Sequence, residues 1–168
     1  KILRRLLRTV LTRPRLMSSL LVAGQSLRPL LPSRLRQAVP LRQTLKALPT
    51  ERHARKMLVL EGCVQQAATP NTNAAARRVL DRLGITLIAA PEAGCCGAVN
   101  YHLAAHADGL NNMRRNIDAW WPHIESGAEA IISSASGCGA MLVDYGRLLA
   151  NDPKYAHKAK QVSQFSRD

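Results

Sequence analysis

At 168 residues, 46% of them hydrophobic, the chain has enough material for one domain with a buried core and too little for two large ones. The formal charge of +13 invites a nucleic-acid reading, yet fourteen of the 24 Lys and Arg lie in residues 1–56 beside a single acid, Glu51. Residues 57–168 carry ten of each sign. With one Phe, two Trp and three Tyr in the whole chain, the interleaved aromatic and basic positions of a nucleic-acid groove are missing.

Residues 1–56 read as a basic, amphipathic helical arm. In "KILRRLLRTVL" Leu3, Leu6, Leu7, Val10 and Leu11 fall at helical spacing opposite Arg4, Arg5 and Arg8. Pro14, Pro29, Pro32, Pro40 and Pro49 interrupt any long helix. Such a segment does not form its own core and is expected to lie against the following domain or a partner subunit. Anionic lipid head groups are the second reading, because Arg/Leu helices lie at interfaces; nucleic acid is the last. No apolar run reaches about 18 residues, so no spanning helix is expected. The Arg-rich, acid-poor start has the composition of a targeting segment, although the chain opens on Lys1 rather than Met.

Residues 57–168 read as an α/β domain. "KMLVLEGC" is a buried strand ending in Gly-Cys. "TNAAARRVLDRLG" is a helix with Ala76, Val79, Leu80 and Leu83 on one face and Gly84 as its stop. "ITLIAA" is the next strand and runs through Pro91 into Gly94-Cys95-Cys96-Gly97. A helical region spans about 98–125, with a break expected near Asp108-Gly109. "AEAIISSA" is a third strand ending at Gly137-Cys138-Gly139, and "AMLVDYGRLLAND" is a helix that Pro153 stops or restarts. Alternating strands and helices imply a parallel sheet with flanking helices.

All four cysteines, Cys63, Cys95, Cys96 and Cys138, follow the carboxyl ends of predicted strands, and each of the three loops carries Gly-Cys. Parallel sheets place those ends along one edge, where open α/β folds bind ligands. The loops are therefore expected to converge. Gly62, Gly94, Gly97, Gly137 and Gly139 are expected to supply positive-φ turns that leave N–H groups open to thiolate sulfur. Without a secretory leader, four cysteines suggest reduced thiols doing metal or redox chemistry. Structural zinc takes pairs spaced C-x2-4-C, which this chain lacks. Adjacent thiols suit a polynuclear cluster better, since each can bind a different iron. Zinc, small buried residues in turns, and a strained vicinal disulfide at 95–96 stand as alternatives.

Other candidates carry less. His102 and His106 stand four apart, on one face if that segment is helical; His102 near the cysteines would hold a proton or hydrogen bond rather than a metal. His53, His123 and His157 read as lone surface or helix-end residues. Trp120-Trp121 read as core anchors. Asp118, Glu125, Glu129 and Asp144 form no acid–base pair, and no GxGxxG or P-loop is present.

The spacing Cys63, Cys95-Cys96-Gly97, Cys138-Gly139-Ala140-Met141 resembles the cysteine-rich CCG domain found in heterodisulfide reductases and related iron–sulfur proteins. "LEGCVQ", "PEAGCCGAVNYHL", "NMRRNIDAWWPHIE" and "SGCGAMLVDYG" are most similar to the iron–sulfur subunits of glycolate oxidases (glycolate dehydrogenases). The resemblance covers about 57–168 and implies a complex whose flavin-containing subunits oxidise glycolate to glyoxylate. The iron–sulfur subunit would pass electrons towards a quinone-type acceptor, at the cytoplasmic, inner face of the cell membrane and with peripheral contact through the basic arm. No catalytic site for glycolate is expected in this chain. Carried over, Cys63, Cys95, Cys96 and Cys138 fill four of five motif positions and would hold an iron–sulfur cluster of 4Fe-4S type; Met141 stands in the fifth and is a candidate ligand. A thioether is a weak ligand beside thiolates, so the substitution bears on cluster type and keeps a structural zinc-binding or metal-free docking module as the alternative. No ferredoxin-type cysteine run occurs, so the chain reads as an internal fragment of such a subunit.

Overall fold

A computed structural model describes residues 2–167 of the chain. The first third forms α1 (Ile2–Leu11), α2 (Pro14–Ser26), a 3-10 turn (Arg28–Leu30) and α3 (Ser33–Ala38), then runs extended to the first strand. Pro14 occupies the first turn of α2, where its missing N–H costs nothing, and Pro32 caps α3. No residue of these helices is buried. The arm has no core, as its sequence predicts, and lies against the rest of the chain. Arg8 reaches Asn100 Oδ1 at 3.2 Å and ion-pairs with Asp108, and α2 packs on α4 (Gln65–Ala68).

The sheet contains β1 (Arg55–Leu60), β2 (Ile85–Ile88), β3 (Ile131–Ser133) and β4 (Ser166–Arg167), all parallel in the order β2-β1-β3-β4. Leu58 pairs in register with Ile88 on one side and Ile131 on the other, so β1 is internal. Its run Leu58-Val59-Leu60 is buried throughout, the pattern of a parallel strand covered on both faces. Leu58 and Leu60 join the main core, while Val59 between them points to the opposite face.

Between the strands lie α5 (Pro70–Arg82), α6 (Ala98–His102), α7 (His106–Glu125), α8 (Ser136–Leu148) and α9 (Ala156–Phe165). The core joins Met113, Ile117, Trp120 and Ile124 of α7 to Leu142 and Tyr145 of α8 and Ala159 and Val162 of α9. Each large apolar side chain buried here contributes about 1.5–3 kcal/mol.

Four details differ from the sequence expectation. The break in the 98–125 region falls at 103–105, where Ala104 takes φ +62°, and Asp108-Gly109 lies inside α7. Gly109 is needed there for close packing: a Cβ would lie 3.0 Å from that of Tyr101. On α5 the buried positions are Asn73 and Ala74, whereas Val79 and Leu83 are exposed; the inward stripe is displaced around the helix and shared with Arg77, which donates to Leu87 O. His53 is half-buried with a partner, its Nε2 2.9 Å from Asp81 Oδ1. Finally, Gly137-Cys138-Gly139 form the first turn of α8 rather than a loop.

Candidate metal centre

Three segments bring the cysteines to one edge of the sheet. Cys63 follows β1 by three residues, Cys95 and Cys96 follow β2 across a longer approach, and Cys138 lies in the opening turn of α8 just past β3. Cys63, Cys95 and Cys96 are 5%, 1% and 2% exposed, Cys138 is half-buried, and no disulfide joins any of them. The vicinal disulfide at 95–96 is therefore not present.

The doublet's two sulfurs remain within reach of each other, Cys96 donating to Cys95. Cys96 faces a cleft of about 550 Å³ that it lines with Cys63, Cys138, Val99 and His102. Cys95 borders a second cleft of about 580 Å³ beside Arg13, Arg15 and Arg115. Cys63 Sγ still lies 3.6 Å from Cys95 Sγ, so the two sides are linked through sulfur.

The electrostatics are uneven. Cys95 is the thiol held well below its ordinary pKa: Cys63 donates to its sulfur, as do Cys96 and the Gly97 N–H, and the Arg115 guanidinium adds charge, all against the effect of burial. Cys63 is pushed up because its proton is held towards Cys95 and because it is buried. Cys96 is pushed up by donating to Cys138 and Cys95, with burial acting in the same sense. The Val64 N–H faces the Cys63 sulfur as the Gly97 N–H faces that of Cys95, which supplies the expected amide donors.

Only two of the five glycines use positive φ. Gly62 (φ +74°) and Gly97 (φ +97°) turn the chain after β1 and after the doublet. Gly94 lets the Arg115 guanidinium lie against its backbone, in space that a Cβ would share. Gly137 and Gly139 adopt ordinary helical backbone in α8.

A buried polar pair lies beneath the doublet, unanticipated in the sequence. Asn116 of α7 and Tyr145 of α8 are both 0% exposed. The Gly94 N–H donates to Asn116 Oδ1 at 2.8 Å, and Asn116 Nδ2 donates to Cys95 O at 3.0 Å and to Tyr145 Oη at 3.1 Å. Tyr145 O–H donates to Cys96 O at 2.8 Å. Burial, reinforced by the charge of Cys96, raises the Tyr145 phenol well above its usual range, so it remains a donor. At helix-core spacing, Asn116 and Tyr145 carry no periodic signal that would have marked them.

The remaining candidates are dispersed. His102 closes α6 and lines the cysteine cleft, while His106 opens α7, so the two do not share one helix face. Met141 is 3% exposed and packs in the main core with Cys96. Trp120 is fully buried, as expected for an anchor, and Trp121 donates to Glu125 from the surface.

The donor set discriminates between metals. A single zinc with Zn–S near 2.3 Å would place its sulfurs about 3.8 Å apart. Among the described residues no three cysteine sulfurs lie within 4.8 Å of one another; the trio that does meet that limit is Glu51, His53 and Asp81, whose Glu51 and His53 precede β1 while Cys63 follows it. Four thiols linked in the order Cys63, Cys95, Cys96, Cys138, with no three sulfurs clustered and amide donors on two of them, fit a polynuclear iron–sulfur group better than one tetrahedral ion.

Residues 57–143 match the family described as CCG, the cysteine-rich domain. The chain belongs to that family. Within it, the glycolate oxidase iron-sulfur subunit of Escherichia coli (strain K12) is 55% identical over 170 residues, covering 100% of this chain and 42% of the relative. A probable glycolate oxidase iron-sulfur subunit of Bacillus subtilis (strain 168) is 30% identical over 68% of this chain and 25% of its own length. Lactate utilization protein A of Bacillus velezensis (strain DSM 23117 / BGSC 10A6 / LMG 26770 / FZB42) is 30% identical over 64% of this chain and 43% of its own. The chain thus spans less than half the length of the relatives it matches. No solved structure matches it significantly. Among the described residues no helix is long and apolar enough to cross a membrane.

Proposed function

We propose that this CCG domain holds an iron–sulfur cluster, of 4Fe-4S type, on Cys63, Cys95, Cys96 and Cys138, within the electron-transfer subunit of a glycolate oxidase complex. The observation that carries the reading is the convergence of four thiols from three strand ends on one sheet edge. When bound, such a group supplies one-electron transfer at a potential set by charge, burial and hydrogen bonds to its sulfurs.

The chain's own residues fix the environment. The amides of Val64 and Gly97 face sulfur, the Arg115 guanidinium adds positive charge beside Cys95, and Val64, Ala98 and Val99 give the cleft an apolar lining. Met141 fills the core rather than acting as a ligand. Oxidising glycolate to glyoxylate releases two electrons and two protons. Flavin-containing partner subunits would take both electrons as a pair, and this subunit would hand them on singly to a quinone-type acceptor, which becomes quinol with two protons. The exposed Ile2, Leu3, Leu6 and Leu7 of α1, flanked by Arg4 and Arg5, suit peripheral contact with the inner face of the cell membrane.

Cysteine variants test the assignment. Cys95→Ser and Cys96→Ser, made in the full-length protein and purified anaerobically, are expected to lose one cluster's share of the visible iron–sulfur absorbance, whereas His157→Ala keeps it. Full absorbance in both cysteine variants would refute the ligand set.

A further inference from the structure

The Cys95–Cys96 doublet can present two sulfurs to one group only if the backbone between them is held, because a Gly-flanked segment is otherwise free to rotate. The restraint visible here comes from behind. Both carbonyls of the doublet point into the core, each onto a buried side-chain donor, and the preceding Gly94 N–H points the same way onto Asn116 Oδ1. Asn116 commits both its amide nitrogen and its oxygen to this task, and Tyr145 both donates and accepts. Neither side chain turns a polar atom to the backbone of the helix that carries it.

We infer that Asn116 and Tyr145 are a positioning pair that fixes the backbone of Gly94-Cys95-Cys96, turning its carbonyls inward so that its sulfurs and the Gly97 amide face the metal group. The inference rests on the proposed cluster for its redox consequences and on geometry alone for the restraint. The pair ties α7 and α8 to the one loop that supplies two of the four ligands. Residues of this kind, which act through the ligand rather than on the metal, change affinity or activity by about 10- to 100-fold when lost.

The test uses the full-length protein with Tyr145→Phe, Asn116→Ala and, as a control for stability, Leu149→Ala, a core residue with no hydrogen bond to the doublet. Tyr145→Phe keeps the ring and the fold. It is expected to retain iron while shifting the midpoint potential and the g values of the reduced protein, and to release iron to a chelator about 10- to 100-fold faster. Leu149→Ala is expected to lower the Tm and leave all three readouts at wild-type values. If Tyr145→Phe behaves as Leu149→Ala does in potential, spectrum and release rate, the positioning role is refuted. Should the wild type hold neither iron nor sulfide, the cluster reading fails alone, and amide hydrogen exchange decides the pair. Deprotection of Gly94 in Asn116→Ala but not in Leu149→Ala then supports the restraint; equal protection in both overturns it.

Discussion

At Gly97 the chemistry of the site depends on a missing side chain. Its φ of +97° disfavours any L residue, and a Cβ would lie 2.8 Å from Gly109 O, a backbone atom that cannot swing aside. Gly97→Ala is therefore expected to cost about 2 kcal/mol or more, read as a fall in denaturation midpoint, and to disturb the doublet it follows. A variant as stable as the wild type would show that the turn is not held as described. Gly94, two residues before Cys96, has a different part, with Arg115 passing over its backbone and its N–H given to Asn116. The sequence marks both as glycines beside cysteines, but their separate roles depend on α7, which local pattern cannot place. The same limit conceals Asn116 and Tyr145: each sits on a helix face that reads as core, and only the tertiary fold shows the face meeting a loop carbonyl.

Among the elements, strands are the most legible. Leu58-Val59-Leu60 and Ile85–Ile88 are compact apolar runs bounded by turn residues, and their burial follows directly. The two-residue β4 has no such run and forms because α9 delivers Ser166 beside Ile131. The α6–α7 break escapes local pattern because Leu103-Ala104-Ala105 are good helix formers, and the packing of Gly109 on Tyr101 overrides them. The turn between α8 and α9 rests on a carboxylate. Asp152 accepts from Arg114 Nε at 2.8 Å and from the N–H groups of Lys154 and Tyr155 at 3.0 and 3.1 Å. The Arg114 contact, then those amides, hold its pKa below the usual carboxylate range against the opposing effect of desolvation. A depressed pKa gives stability that is complete above the unfolded-state value and is lost as pH falls through the folded-state one. The Tm gap between wild type and Asp152→Asn is thus expected to be constant near neutrality and to close in acid. A gap that widens in acid would contradict this account.

Across the whole molecule, charge and burial divide the chain the same way. The arm carries the excess of positive charge and no buried residue, whereas the following sheet and helices hold the core. Exposed segments open at little free-energy cost. Trypsin is expected to cut within residues 4–52 first and to leave a product beginning near residue 53 that retains the cysteine region; cleavage inside α7 or α8 at the same rate would argue against two units. The parallel sheet, its strand-end cysteines and the basic arm are all readable from order and composition. The orientation of the doublet is not, because its carbonyls are turned inward by Asn116 and Tyr145. Metal analysis decides whether these thiols hold an iron–sulfur group. Full-length protein purified without oxygen is predicted to contain iron and acid-labile sulfide in matching stoichiometry with little zinc, and its Cys63→Ser form to lose one cluster's share of both. One zinc per chain without sulfide would contradict it.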